Sequence, residues 1–102
     1  MKSSKTMVEK LKLEDREREI ETLDHDWEII NSKLVLSLKL NNFVECVDLV
    51  TKIAKIAEGM NHHPDVKIYD YKNLEISVTT HELGGLSEKD FILAREIEKL
   101  IP

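Results

Sequence analysis

Between residues 34 and 40 the chain alternates strictly, with Leu34, Leu36, Leu38 and Leu40 on one side and Val35, Ser37 and Lys39 on the other. A period of two belongs to a strand with one buried face. Trp27 to Ile30 forms a shorter apolar run just upstream, and Asn31-Ser32-Lys33 between the two runs supplies turn chemistry, which predicts a hairpin. The alternation returns at Val66 and Ile68 against Lys67 and Tyr69, and at Leu74, Ile76 and Val78 against Glu75, Ser77 and Thr79. Asp70-Tyr71-Lys72-Asn73 joins these runs as a second hairpin.

Three other stretches follow the helical period. Glu9 to Leu23 is dominated by charge, including Glu14-Asp15-Arg16-Glu17-Arg18-Glu19, with apolar residues only at Leu11, Leu13, Ile20 and Leu23. It reads as a solvated helix with a narrow apolar stripe and pairs such as Glu14 with Arg18. Asn42 caps a second helix, with Glu45 three residues on as the reciprocal partner of a capping box. That helix is predicted to run to about Glu58 and to stop at Gly59, where left-handed backbone costs glycine least. Phe43, Cys46, Val47, Val50, Ile53, Ala54 and Ala57 define its core face, and Val44, Leu49 and Ile56 widen the apolar surface towards the other side. So broad an apolar circumference fits either burial against a second subunit or a wide core contact. Ser87-Glu88-Lys89-Asp90, a second capping box, opens a last helix in which Phe91, Ile92, Ala94, Ile97, Leu100 and Ile101 have helical spacing.

The order α-β-β-α-β-β-α predicts an α+β fold, a four-stranded antiparallel sheet with three helices packed on one face. Residues 1–7 are polar and read as a flexible N-terminal tail, and residues 8–102 as a single domain. A chain of 102 residues can bury roughly 65% of the surface that its unfolded form exposes, enough for a core without staples. The single cysteine, Cys46, excludes an intramolecular disulfide and reads as a small buried hydrophobe in a reducing compartment. No apolar stretch approaches the roughly eighteen residues of a membrane span, and the N-terminus lacks an apolar signal core, so a cytoplasmic, soluble protein is expected. The net charge of -5 works against attraction to phosphate backbones, so neither nucleic acid nor membrane is an expected partner.

Candidate chemistry concentrates in the histidines. His62, His63 and His81 fall inside one twenty-residue window, framed by Gly59, Gly84 and Gly85. Imidazole can both give and accept protons near neutrality, its ordinary pKa being about 6.5. If the third and fourth strands form an antiparallel hairpin, the start of one lies beside the end of the other, which brings His81 to the pair. Pro64 forces an extended backbone on His63, so both rings of the pair can be aimed at one cavity. His25, between Asp24 and Asp26, reads as an exposed turn residue, and Tyr69 and Tyr71 as sheet surface or rim. Trp27 is expected in or beside the core, with the wall of a ligand pocket as the alternative. Asp90, at the third helical position, reads as a cap. Glu58 at a helix C-terminus opposes the helix dipole, which favours a role in orienting a histidine. Three histidines with Glu58 or Asp90 could in principle ligate zinc or iron, but the i, i+4 histidine spacing of a helical metal motif is missing. Neither a metal nor a cofactor is expected.

The full spaced set is Glu58, three residues, His62-His63-Pro64, six residues, Tyr71, nine residues, His81, eight residues, Asp90. It resembles the signature of the pterin-4a-carbinolamine dehydratases. Trp27 before a hairpin, Phe43 opening the long helix, Thr80-His81-Glu82 and Gly85-Leu86-Ser87 also look like that family, over about residues 13 to 101. Asn61 departs from it, since relatives often carry Asp there. The resemblance implies a lyase that dehydrates a 4a-hydroxytetrahydropterin to the quinonoid dihydropterin by histidine general acid/base catalysis, as in tetrahydrobiopterin recycling. It implies His62 and His81 as proton-transfer groups, with acid and base roles undivided, and His63 assisting. Glu58, Asn61, Thr79, Thr80 and Glu82 would surround the pterin, with Asp90, Pro64 and Trp27 in support. A homo-oligomer, dimer or tetramer, is expected through the 43–57 helix or a sheet edge. The alternatives are a protein-interaction module, since some relatives also serve as dimerisation cofactors for a transcription factor, and a histidine-based metal-binding protein.

Overall fold

A computed structural model describes residues 9–102, so the tail expected at residues 1–7 lies outside the described residues. The element order is α1 (Leu13–Ile20), β1 (Glu28–Ile30), β2 (Lys33–Lys39), α2 (Phe43–Met60), β3 (Asp65–Tyr69), β4 (Asn73–Val78), one turn of 3-10 helix at His81–Leu83, and α3 (Glu88–Glu98). This is the α-β-β-α-β-β-α order predicted from the hydrophobic pattern. The four strands form one antiparallel sheet in the order β1-β2-β4-β3. Both hairpins turn through two left-handed residues, Asn31 (φ 50) with Ser32 (φ 64) and Asp70 (φ 47) with Tyr71 (φ 52). Two successive positive φ angles match the right-handed twist of the flanking strands, and Asn and Asp tolerate them best.

The core lies between the sheet and α2 and α3. Leu34, Leu36, Leu74, Ile76 and Val78 meet Cys46, Leu49 and Ile53 of α2 and Phe91, Leu93, Ala94 and Ile97 of α3, with Trp27 and Leu86 closing the ends. Each of these side chains is almost wholly removed from water.

Several local expectations are corrected. The first helix starts at Leu13, not near Glu9, because Lys10 pairs with Ser87 in an isolated antiparallel bridge and the Leu11 N–H donates to the Leu86 carbonyl at 2.8 Å. Those bonds hold residues 10 and 11 extended across the segment before α3. The buried face of α2 is Cys46, Leu49, Ile53 and Ala57, whereas Phe43 (53% exposed), Val47 (41%) and Ala54 face outward. The apolar circumference is wider than any one face, so composition left the phase open, and the sheet takes the 46-49-53-57 row. The same ambiguity recurs in α3, where Leu93 is fully buried and Ile92 is 41% exposed.

The ends of α2 also differ in detail. Asn42 caps it, its side chain accepting from the Glu45 N–H at 2.9 Å, but the Glu45 carboxylate accepts from the Asn41 N–H at 3.0 Å, one residue earlier than a capping box requires. The helix runs past Gly59 to Met60, and Asn61 (φ 52) takes the left-handed position. The Asn61 N–H bonds the Glu58 carbonyl and the His62 N–H bonds the Ala57 carbonyl, the two bonds of a Schellman motif. Asparagine also tolerates left-handed backbone there, so the helix passes Gly59 and stops two residues later than the glycine alone predicts.

Candidate functional site

The Schellman motif sets the exit of α2, and the histidine pair follows it directly, held off the helix axis by the left-handed Asn61. Across the sheet, β3 and β4 pair with Asp65 opposite Ser77, so the chain entering β3 lies beside the chain leaving β4. Beyond β4 the Thr80 N–H donates to the Gly85 carbonyl at 3.1 Å, and the intervening loop closes as a 3-10 turn through Leu83 N–H to the Thr80 carbonyl at 3.0 Å. Gly84 (φ 66) ends that turn in the left-handed region. The outcome is a hollow of about 200 Å³ lined by Asn61, His62, His63, Thr79, His81, Glu82 and Lys89. The three imidazoles, from two separate stretches of chain, therefore line one cavity.

A buried carboxylate stands behind the first of them. Asp90 is fully buried, and its Oδ1 lies 2.6 Å from His62 Nε2. Its Oδ2 accepts from the Thr80 hydroxyl at 2.9 Å and from the Ser87 N–H at 2.8 Å. Thr80 and Ser87 hydroxyls are 2.7 Å apart, and the Ser87 side chain accepts from the Asp90 N–H in the reciprocal capping box. The hydrogens can be laid out in only one consistent way with an ionised Asp90. Thr80 gives its proton to Asp90, Ser87 gives its own to Thr80, and the carboxylate has only lone pairs to offer His62. His62 Nε2 must then be the donor, which leaves Nδ1 as the nitrogen free for a ligand. One residue thus both caps α3 and orients an imidazole, joining the cap read from the sequence to the support that the resemblance implies.

His63 has a second carboxylate, its Nε2 lying 2.5 Å from Glu58 Oε2. This pair is open to water, with side chains 53% and 76% exposed, so it is worth far less than the buried one. His63 and Glu58 also border a neighbouring apolar groove of about 150 Å³, with Val50, Ile53, Ala54, Ala57, Pro64 and Val66.

The remaining candidates divide clearly. Asn61, Thr79 and Glu82 line the hollow with the histidines. Thr80 lies beneath it, 1% exposed, with its N–H bonded to Gly85 and its hydroxyl proton to Asp90. Pro64 belongs to the apolar groove. Trp27 is 4% exposed in the core and donates from Nε1 to Glu98 Oε2 at 2.9 Å, away from the hollow. Tyr69 and Tyr71 are exposed and lie within 5.3 Å and 5.4 Å of the Lys67 and Lys72 ammonium groups, respectively. Lys89 was missed, its one available signal being a cation in the first turn of a helix, where the dipole opposes it. Among the described residues no three side chains of His, Cys, Asp or Glu group closely enough to hold a metal ion.

The family model for pterin 4 alpha carbinolamine dehydratase matches residues 9–100. The chain belongs to that family. A provisionally named pterin-4-alpha-carbinolamine dehydratase of Aquifex aeolicus is 36% identical over 95 residues, 93% of this chain and 94% of its own. Its counterpart in Sulfolobus acidocaldarius is 45% identical over 74 residues, 72% of this chain and 80% of its own. The crystal structure of a transcriptional coactivator/pterin dehydratase from Brucella melitensis superposes with a TM-score of 0.84 at 22% identity, covering 91% of this chain and 99% of that one. At that identity the likeness concerns the fold, which is that of this pterin dehydratase family.

Proposed function

We propose that the protein is a hydro-lyase that removes water from a 4a-hydroxytetrahydropterin to give the quinonoid dihydropterin. The observation that carries this reading is the convergence of His62, His63 and His81 on one small hollow, with His62 held by a buried carboxylate. Breaking the C4a–O bond needs a proton on the departing hydroxyl, and forming the C4a=N5 bond needs a base for the N5 proton. Positioned acid/base groups typically contribute about 10²–10⁴-fold each. His62 suits the base, because Asp90 fixes its proton on Nε2 and steadies the imidazolium formed when Nδ1 takes the N5 proton. His81, exposed at the lip of the same hollow, suits the acid that protonates the hydroxyl. His63 with Glu58 assists at the rim, and Asn61, Thr79 and Glu82 are the groups available to the flat ring.

Stopped-flow measurement of 4a-hydroxytetrahydropterin breakdown, with and without the protein and with the His62→Ala and His81→Ala variants, tests the assignment. Loss of about two orders of magnitude is expected for each variant. Wild-type turnover in both would remove the roles given to these rings.

The same reading includes self-association, supported by the exposed apolar residues Phe43, Val44 and Val47 along α2. Solution mass of the wild type against Val47→Glu checks it, with a smaller species expected for the variant. A cytoplasmic location fits the free, buried Cys46, and among the described residues no helix is long and apolar enough to cross a membrane.

A further inference from the structure

We infer that Lys89 makes the hollow selective for pterins that carry an anionic group, a carboxylate or a phosphate, on the substituent at C6. The inference rests on the pterin reading above and adds the class of substrate. Lys89 lines the hollow and is half-buried. Among the described residues it forms no ion pair, as is true of most of the lysines, but it alone of them lines the hollow of the three imidazoles. Its neighbours do not explain it either. Glu88, beside it in the first turn of α3, and Glu82, across the hollow, are both exposed and unpaired with it.

The position is also costly for a cation. Ser87 is the cap and Asp90 the third helical residue, so Lys89 is the second, where the positive end of the helix dipole repels an ammonium group. An acidic residue there would help α3, and a neutral one would do no harm. A lysine that weakens the start of its own helix and lines the hollow is accounted for by a negative charge that arrives with the ligand.

The pterin ring itself carries no net charge, and its acid/base needs are met by the histidines. The C6 substituent is the part of such a substrate that varies in charge. Lys89 lines the same hollow as the three imidazoles, so an anion held by its ammonium group would share that hollow with the ring. Neutral C6 chains would still enter, but without this anchor.

The test is equilibrium binding, followed by pterin fluorescence, of pterin-6-carboxylate and of 6-hydroxymethylpterin to the wild type and to Lys89→Gln. The wild type should bind the carboxylate about two- to fivefold more tightly than the neutral alcohol, the range expected of one half-exposed ion pair. In Lys89→Gln that preference should vanish while affinity for the neutral alcohol stays the same, and about 0.5 M salt should erode the wild-type preference in the same way. Equal affinities in the wild type would overturn the inference. So would an equal weakening of both probes in the variant, since the lysine would then serve the ring. Failure of both probes to bind the wild type would instead sink the pterin reading, and the inference with it.

Discussion

Replacing Asp90 by asparagine changes one atom and reverses one hydrogen bond. With Asp90 ionised, its carboxylate accepts three hydrogens, from His62 Nε2, the Thr80 hydroxyl and the Ser87 N–H. An amide has a single oxygen, and the two donors converging on Oδ2 will hold it there, which turns the NH₂ group towards His62 Nε2. That nitrogen must then present its lone pair, and the ring proton moves to Nδ1, the atom proposed to take the N5 proton. Hydrogen bonds to a charged acceptor contribute about 1.5–3 kcal/mol against about 0.5–1.5 for neutral ones. Three weakened bonds and a lost charge at the head of α3 therefore cost about 2–4 kcal/mol, or roughly 10–25 °C in Tm for a domain of this size. Turnover should fall about 10²–10⁴-fold, the worth of one general base. Stopped-flow dehydration, thermal unfolding and long-range ¹H–¹⁵N correlation spectra of His62 read the three effects separately. If the tautomer flips and turnover is unchanged, His62 Nδ1 is not the base. If the tautomer does not flip, the hydrogen-bond directions deduced for the network are wrong.

Further outcomes follow from other parts of the fold. Glu98 accepts from the Asp24 and His25 N–H groups at 3.1 and 2.7 Å and from Trp27 Nε1, so Glu98→Ala should cost about 2 kcal/mol and red-shift the tryptophan emission while leaving turnover intact. Asn61→Ala should lose about 1 kcal/mol in denaturant unfolding through left-handed strain, and Asn61→Gly should lose none of it. Burial first, and then the neighbouring Glu45 carboxylate, push the Cys46 thiol above its ordinary range. A raised folded-state value keeps its stabilisation below the unfolded pKa, about 8.5, and loses it above; stability should therefore decline from that pH upward, and less steeply in Cys46→Ala. An aromatic disulfide reagent should label Cys46 only on unfolding.

The parts of the fold written in local chemistry were legible. Alternation placed three strands, a short apolar run before a turn placed the fourth, Asn42 and Ser87 marked two helix starts, and the antiparallel pairing of β3 with β4 brought His81 to His62 and His63. What was hidden depended on contacts remote in sequence. Which apolar row of α2 is buried is decided by the sheet, so Leu49 and Phe43 could not be told apart by hydrophobicity. The bond of Trp27 to Glu98 spans 71 residues and leaves no spacing signature, and although Asp90 stands in the spaced set with His62, their hydrogen bond across 28 residues does not follow from that spacing. Thr80 looked available at a strand end, yet the return of the chain to Gly85 buries it.

The first turn of α3 has two masters. Ser87 and Asp90 are fixed twice over, once by closing the helix and once by steadying an imidazole, so a change at either is felt by folding and chemistry together. Lys89 stands between them with its side chain on the hollow and no duty in the cap. The turn therefore joins an immovable frame to one freely exchangeable position, where the choice of ligand can be altered without disturbing the catalyst.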